Sequence, residues 1–257
     1  MAIILSAVII TFNEEKNIER CINSIIDVVD EILVVDSYST DKTEEICKKL
    51  KVSFRQKTWE GYSAAKNYGN KEAIGSYILS IDADESLSEE LKNNILKVKA
   101  ELKGIYSFNR LTNYCGRWIK NCGWYPDKKI RIFPKEDSYW NDSEIHENIF
   151  FKGNPEENFL HGDLLHYSFG SVEEHMLKIN NYTTIEAQQA YKAGKRMNYF
   201  SWIFSPLFKF LKIFFIHKGF LDGFHGFLIA SFSSYSKFLK YAKLKQLRYL
   251  NEKNKTA

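Results

Sequence analysis

Short apolar runs alternate with amphipathic segments through the first third of the chain. Residues 3–11, 31–35 and 77–81 are mostly β-branched or apolar, as expected for strands covered on both faces. Residues 18–29 carry apolar side chains at helical spacing, and residues 61–73 form a second, more polar helical segment. Strands that alternate with helices at this spacing predict an α/β fold with a doubly wound sheet.

Polar side chains follow three of these predicted strands. Asn13 and Glu15 come after the first strand, Asp36 after the second, and Asp82 and Asp84 after the third. Because ligands of open α/β sheets bind beyond the carboxyl ends of the strands, we expect these side chains to converge. Two carboxylates at such an edge could hold a divalent cation, which in turn would hold a diphosphate. The pattern therefore predicts a nucleotide pocket.

Turn chemistry is the alternative interpretation of the acidic pair. Asp82 and Asp84 could end a strand and open a turn, with Ser86 and Glu89 forming a capping box for the next helix. Three strand ends with the same polar character favour a pocket over three unrelated turns.

In the second part of the chain, strand-like runs no longer alternate regularly with helical segments. Residues 104–111, 129–133 and 164–169 predict strands, and residues 172–193 predict a long helix. An aromatic, glycine-containing loop at 115–127 separates the first two of these strands. Exposed aromatic side chains on such a loop are typical of surfaces that stack on sugar rings or bases; the alternative is that they cover the sheet edge.

Charge divides the chain into two parts. Residues 195–257 hold 12 Lys and Arg against 2 Asp and Glu, a net charge of +10; the whole chain is +4, which leaves −6 for the first 194 residues. A nucleic-acid-binding protein would carry its basic patch on the folded domain, so we expect no nucleic-acid partner. The pattern predicts a catalytic domain at 1–195 and a basic, aromatic helical tail at 196–257 that meets an anionic surface.

The predicted tail combines apolar helices with lysines. Between residues 202 and 216, Ser205, Lys209 and Lys212 fall on one narrow polar stripe of an otherwise apolar segment. Such a helix is expected to lie in a membrane interface, with its lysines reaching lipid phosphates. The alternative is a helical pair that packs on the catalytic domain or on a second subunit of a homo-oligomer. Asp222 and His225 argue against a membrane span in the next segment.

The cysteines and the first residues indicate a reduced compartment. None of the four cysteines forms a C-x-x-C pair, and Cys21 and Cys47 fall on apolar helix faces, where free cysteine behaves as a small hydrophobe. Residues 1–10 lack the basic region and cleavage site of a signal peptide. We therefore expect a cytoplasmic protein.

Four segments together resemble the family 2 glycosyltransferases, which have the GT-A fold. Within residues 3–169 they agree with that family in order and spacing: residues 9–15, 34–43, 64–69 and 81–85. Three further segments are similar to a subgroup that adds glucose or similar hexoses to the inner core of lipopolysaccharide: residues 123–127, 131–133 and 145–147. The resemblance implies a mixed sheet flanked by helices, followed by a C-terminal helical extension.

The resemblance also implies how a nucleotide sugar is held. Asp36 would accept a hydrogen bond from uracil, Asp82 would hold the ribose hydroxyls, and Lys66 would approach the base or its phosphates. Arg131 would bind the diphosphate, with a surface salt bridge as the alternative. The implied donor-binding set is Thr11, Asn13, Glu15, Asp36, Lys66, Asp82 and Arg131.

A metal site is implied at Asp84. Mg²⁺ or Mn²⁺ held there would bridge the diphosphate and stabilise the charge on the departing nucleoside diphosphate. His166 matches the position of a further histidine ligand; the alternative is a satisfied core histidine beside Tyr167. A nitrogen ligand would favour Mn²⁺ over Mg²⁺.

An inverting transfer needs one base to take the proton from the acceptor hydroxyl. The candidates are Asp142, Glu144, His146 and Glu147. Glu147 is preferred because it falls where the family keeps its acidic base, and His146 is the second choice. Trp124 and Tyr125 on the aromatic loop are expected to bind the acceptor.

The sequence therefore predicts a metal-dependent, inverting hexosyltransferase. Its donor would be a nucleotide sugar, with UDP-glucose preferred, and its acceptor a lipid-linked glycan at the inner face of the cytoplasmic membrane. Two alternatives stay open: a membrane adaptor that senses a nucleotide sugar without turnover, and a sugar nucleotidyltransferase. The lack of glycine in residues 11–15 counts against the second, which usually carries a glycine-rich phosphate loop.

Overall fold

The computed structural model describes residues 4–141, 148–195 and 199–255 of the chain. The helices are α1 (Ile18–Ile25), α2 (Thr43–Lys49), α3 (Tyr62–Glu72), α4 (Glu89–Val98), α5 (Val172–Lys192), α6 (Tyr199–Leu211) and α7 (Gly223–Lys255). The strands are β1 (Leu5–Thr11), β2 (Glu31–Asp36), β3 (Ser53–Gln56), β4 (Tyr77–Asp82), β5 (Glu85–Leu87), β6 (Ile105–Tyr114), β7 (Arg117–Trp118), β8 (Lys128–Pro134), β9 (Ser138–Trp140), β10 (Ile149–Phe151) and β11 (Glu157–Phe169).

The chain packs as two compact units. The first comprises Met1–Leu111 and Asp127–Tyr167, and the second comprises Thr112–Pro126 and Ser168–Ala257. The boundary at residue 195, which the charge pattern predicts, stays a prediction.

A mixed sheet organises the first unit. Its main strand order is β3-β2-β1-β4-β8-β6-β11-β5. The first four strands of this order run parallel to one another. By contrast, β8 pairs antiparallel with β4, and β5 pairs antiparallel with β11. The predicted mixed sheet flanked by helices is therefore confirmed.

Apolar faces hold the helices of the first unit on this sheet. All seven residues of β1 are buried, which agrees with the continuous apolar run in the sequence. Helix α1 buries Ile18, Cys21, Ile22 and Ile25 in the core, at the predicted helical spacing. Cys21 and Cys47 are free and buried, as expected of small hydrophobic residues.

The turn after the acidic pair lacks the Ser86 capping box of the alternative interpretation. Ser86 lies inside the three-residue strand β5, so it does not cap a helix. Ser88 caps α4 instead, and its side chain accepts a hydrogen bond from the backbone N–H of Leu91. The alternative interpretation did not include a strand here, because β5 is too short for a period-two pattern to be recognised in the sequence.

The second unit is built from helices and an aromatic cluster. Helix α7 packs against both α5 and α6. Tyr114 lies at the centre of the cluster, with Trp124, Phe169 and His175 around it. The Tyr114 hydroxyl and the His175 Nδ1 atom are hydrogen-bonded at 2.9 Å. Burial, with a smaller effect from Lys178, lowers the pKa of His175 to about 4, so this side chain is neutral at pH 7.

Close packing of α3 on the sheet depends on a glycine. A Cβ atom at Gly69 would overlap Cγ1 of Val8 and would lie 3.0 Å from Cγ2 of Val35. We expect Gly69→Ala to lower the free energy of unfolding by about 1–2 kcal/mol. Overpacking costs roughly 1–3 kcal/mol, and the gain in helix propensity offsets up to about 1 kcal/mol of that cost.

Urea unfolding measures this effect, and Val8→Ala supplies the control. In the Gly69→Ala/Val8→Ala double variant the new methyl group has room, so the two losses should be clearly less than additive. A Gly69→Ala protein as stable as the wild type would contradict the proposed close contact between α3 and β1.

Candidate active site

The carboxyl ends of β1, β2 and β4 lie side by side in the sheet. Thr11 at the end of β1 pairs with Asp36 at the end of β2, and Ile10 pairs with Asp82 at the end of β4. The parallel register therefore brings together the three strand ends that the sequence marks with polar residues.

Hydrogen bonds tie the loop after β1 to the loop after β2. Asn13 has a φ of 55°, and its side-chain oxygen accepts a bond of 2.8 Å from the Thr40 N–H. The Asn13 N–H donates to the Ser39 hydroxyl at 2.8 Å. The Glu15 carboxylate accepts from the Lys42 N–H at 3.1 Å. Asn13 and Glu15 thus shape this edge of the sheet, and their predicted contact with a donor stays a prediction.

Asp36 and Thr11 lie beneath these loops. Asp36 is fully buried, and its carboxylate accepts hydrogen bonds from the N–H and the hydroxyl of Ser39. Thr11 is also buried, and its carbonyl accepts from the Ser37 N–H at 3.0 Å. The structure therefore fixes Asp36 at the predicted edge, and its role toward uracil stays a prediction.

Asp82 lies between two nearly buried cations. Lys66 Nζ is 3.2 Å from Oδ1 of Asp82, and Arg131 Nη2 is 3.1 Å from Oδ2. Burial alone would raise the pKa of Asp82, but Lys66 and Arg131 outweigh burial and hold the pKa well below its usual range. The Lys66 ammonium also lies 4.7 Å from the ring centre of Trp140. Asp82, Lys66 and Arg131 therefore form one charged group.

Glu85 is a member of this group that the sequence analysis did not single out. It is fully buried, accepts a 2.6 Å bond from Arg131 Nη2, and accepts a 3.0 Å bond from the Asp82 N–H. Burial raises the pKa of Glu85, and Arg131 opposes that increase. Arg110 Nη1 lies 3.6 Å from the same carboxylate. The sequence could have indicated this role for Glu85. Three of the four residues from Asp82 to Glu85 are acidic, and so many carboxylates in one turn need cations from neighbouring strands.

Asp84 and His166 meet through the pairing of two strands. In the antiparallel register of β5 with β11, His166 lies opposite Glu85. The Tyr167 N–H donates to the Asp84 carbonyl at 2.8 Å, which fixes the turn against β11. His166 Nε2 lies 3.3 Å from Oδ2 of Asp84, and both side chains remain partly accessible to solvent. The structure thus brings together the two predicted metal ligands.

The chemistry of this pair fits a divalent cation. Among the residues that the structure describes, no group of three or more His, Cys, Asp or Glu side chains could hold a metal by itself. Mg²⁺ is commonly held by one or two carboxylates, with waters and substrate phosphates completing the shell, and Mn²⁺ accepts imidazole as well. Asp84 and His166 supply such a partial set of ligands: the Oδ2 atom of Asp84 and the Nε2 atom of His166, which lie 3.3 Å from each other.

Two of the remaining predicted residues belong to the second unit. Trp124 is in the second unit, where its ring stacks on Phe169 with centroids 5.7 Å apart. Tyr125 precedes Pro126 through a cis peptide bond in the same unit. The candidate bases Glu147 and His146, with Asp142 and Glu144, lie outside the described residues.

Comparisons with known proteins identify the family of this chain. The model of the family described as "Glycosyl transferase family 2" matches residues 6–176. An uncharacterized glycosyltransferase of Rickettsia typhi is 35% identical over 237 residues, which covers 87% of this chain and 80% of that protein. The lipopolysaccharide core biosynthesis glycosyltransferase LpsC of Rhizobium meliloti is 29% identical over 237 residues. The match covers 88% of this chain and 86% of LpsC.

Two solved structures are more distant. TarS (residues 1–349) of S. aureus is 16% identical. The match covers 93% of this chain and 91% of the TarS chain, with a TM-score of 0.45. Glucosyl-3-phosphoglycerate synthase of Mycobacterium tuberculosis, solved with Mn²⁺, uridine diphosphate and its product, is 23% identical. It covers 43% of this chain and 44% of its own, with a TM-score of 0.37.

Arg131 should contribute strongly to the free energy of unfolding, through its contacts at this edge of the sheet. Arg131→Met leaves the Asp82 and Glu85 carboxylates without their shared guanidinium, and removing one partner of a buried ion pair costs about 3 kcal/mol or more. We expect that loss in the free energy of unfolding, measured by urea denaturation. Glu85→Gln in the Arg131→Met background should recover part of it, because one buried charge is removed.

Arg55→Met is the matched control, since Arg55 is an exposed arginine of the same unit. Its expected effect is within about 0.5 kcal/mol. Equal stability of the Arg55→Met and Arg131→Met proteins would show that Arg131 does not hold the carboxylates.

Proposed function

This chain belongs to glycosyl transferase family 2, and we propose that it transfers a hexose from a nucleotide diphosphate sugar to a lipid-linked glycan, with inversion at the anomeric carbon. The preferred donor is UDP-glucose, and the preferred acceptor is a lipopolysaccharide core. The acceptor class is supported by the relative from Rhizobium meliloti, whose name assigns it to lipopolysaccharide core biosynthesis.

The observation that carries the proposal is the approach of His166 to Asp84. Two residues far apart in the chain, on β11 and in the turn before β5, bring Nε2 and Oδ2 to 3.3 Å. We assign Asp84 and His166 as the protein ligands of Mn²⁺ or Mg²⁺. A cation bound there would neutralise the diphosphate and stabilise it as a leaving group.

The chain's own residues would hold the donor at the adjoining strand ends. Asp36 would select the base, and Asp82 would hold the ribose. Lys66 and Arg131 flank Asp82 at 3.2 and 3.1 Å, so an incoming diphosphate would meet two cations already fixed in place. Fixed charges are more effective than mobile ones because they need no reorganisation during the reaction. Thr11, Asn13 and Glu15 complete the proposed donor set.

The proposed base is Glu147, with His146 as the second candidate. The base would accept the proton of the acceptor hydroxyl as that oxygen attacks the anomeric carbon from the face opposite the leaving phosphate. A carboxylate nearby would also stabilise the positive charge that develops on the sugar ring. Trp124 and Tyr125 are proposed to contact the acceptor glycan.

We further propose that the second unit lies on the inner face of the cytoplasmic membrane. Between Ile203 and Phe227, eleven large apolar side chains are exposed. Exposed apolar patches of this kind mark interaction surfaces, and Lys209, Lys212 and Lys218 stand among them as partners for lipid phosphates. No single described helix is long and apolar enough to cross a bilayer, although Trp202–Ile216 and Gly219–Leu250, bent by 71°, pass that test as a pair.

Loss of the Asp84 carboxylate should abolish turnover. Nucleoside diphosphate release is measured from UDP-, GDP- and dTDP-sugars with membrane extract as acceptor, in Mn²⁺, in Mg²⁺ and in EDTA. We expect release from one donor, its loss in EDTA, and a decrease of about a hundredfold or more in kcat for Asp84→Asn. Asp27→Asn removes an exposed aspartate of the same unit and should match the wild type.

Calorimetry separates the possible causes of a negative result. Mn²⁺ should bind the wild type more tightly than His166→Ala, and this readout needs no acceptor. Donor binding without release in any extract would identify a sensor rather than a transferase. Release that persists in EDTA and in Asp84→Asn would refute the assigned metal site.

The exposed apolar side chains of the second unit should control membrane binding. Phe208, Ile216 and Phe224 are 62%, 64% and 69% exposed. Replacing all three by Ser should weaken co-sedimentation with anionic vesicles by about tenfold or more, because each burial in the interface contributes about 1 kcal/mol or more.

Ile74→Ser/Leu177→Ser is the control, since both residues are 65% exposed and lie outside this surface. Its vesicle binding should equal that of the wild type. A triple variant that binds vesicles normally but changes from dimer to monomer in gel filtration would identify a subunit interface instead.

A further inference from the structure

A polar cavity of about 320 Å³ lies among α5, α6 and α7 of the second unit. It shares no lining residue with the strand ends described above, because all of its lining residues belong to these three helices. The groups that give it its chemistry are three amines and two hydroxyls: Lys209, Lys237, Lys240, Ser233 and Ser236.

The cavity carries more positive than negative charge. Lys240 is neutralised by Glu186, whose carboxylate lies 2.8 Å from the Lys240 ammonium. For Lys209 and Lys237, no Asp or Glu of the described residues lies within salt-bridge distance. Burial, together with the charges of Lys212 and Lys237, lowers the pKa of Lys209. Two like charges therefore share one cavity, and an anion between them would relieve their repulsion.

Neutral donors complete the cavity. Ser233 and Ser236 are half-buried, three residues apart on α7, and therefore on the same face of that helix. His175 forms a buried part of the wall and is held through Nδ1 by the Tyr114 hydroxyl. Ammonium and hydroxyl groups that converge on one space are the donors that phosphate oxygens require.

We propose that this cavity binds the phosphate group of a phosphate ester, held by Lys209 and Lys237 and by the hydroxyls of Ser233 and Ser236. The inference does not depend on the transferase function, since no residue of the strand ends takes part. The same chemistry is offered by a lipid headgroup and by a soluble phosphate. Phe208, next to Lys209 on α6, is exposed, so the cavity lysine adjoins the apolar side chains proposed to meet a membrane.

The test uses the full-length protein and four probes. These are inorganic phosphate, glycerol 3-phosphate, vesicles of phosphatidylcholine with phosphatidic acid, and vesicles of phosphatidylcholine alone. Binding is measured by calorimetry for the soluble probes and by co-sedimentation for the vesicles. The location is measured separately, by acetylation of lysines in the wild type followed by mass spectrometry.

The matched variants carry the same change in net charge. Lys209→Gln/Lys237→Gln removes the two cavity amines that lack a carboxylate partner, whereas Lys192→Gln/Lys195→Gln removes two exposed lysines outside the cavity. We expect the cavity variant to bind the phosphate probe at least about tenfold more weakly, and the control variant to bind like the wild type. The probe should also slow acetylation of Lys209 and Lys237 relative to Lys192.

The outcomes are distinct. Binding of soluble phosphate that depends on the cavity lysines supports the site with a soluble ligand. Binding only of phosphatidic acid vesicles, with the same dependence, supports it with a lipid ligand. Equal losses in both variants would overturn the proposal in favour of general charge attraction. Unchanged acetylation of Lys209 and Lys237 at saturating probe would also overturn it, and this result needs no variant to fold.

Discussion

The ion pairs of the Arg131 guanidinium hold together the acidic edge of the sheet in the first unit. Asp82, at the end of a central strand, and Glu85, at the start of the next, are both held by its Nη2 atom. Without that cation, Lys66 would still pair with Asp82, but the fully buried Glu85 carboxylate would lose its 2.6 Å partner, and an unpaired buried charge is strongly destabilising. Arg131 therefore holds both ends of the turn that carries Asp84.

Much of the first unit could be predicted from the chain because its signals are local. Continuous apolar runs identified β1, β2 and β4, and helical spacing identified α1. The short strand β5 could not be predicted, because three residues are too few to show a periodic pattern. The cap of α4 is Ser88 and not Ser86, which the alternative interpretation had considered. A mostly apolar strand of six or seven residues can be recognised in the sequence, whereas a three-residue strand that is defined by its pairing with a distant strand cannot.

The candidate site shows the same division between local and distant information. The polar residues at three strand ends converge as the parallel register requires. The approach of His166 to Asp84 depends on an antiparallel pairing that no local pattern contains, and only the resemblance to a family indicated it. Glu85 was missed because sequence reasoning assigned each carboxylate separately, although its position in β5 directs it toward Arg131. For the loop that holds Trp124 the sequence left a ligand surface and a cover for the sheet edge as alternatives. The Trp124 ring stacks on Phe169, and its role toward an acceptor stays a prediction.

The hydrogen bond from Tyr167 to the Asp84 carbonyl has a consequence for how the protein matures. During synthesis, Asp84 leaves the ribosome long before His166, and β5 has no antiparallel partner until β11 has emerged. A chain that ends before β11 would contain Asp84 but would lack His166, which is half of the proposed metal ligands, and also the strand that pairs with β5.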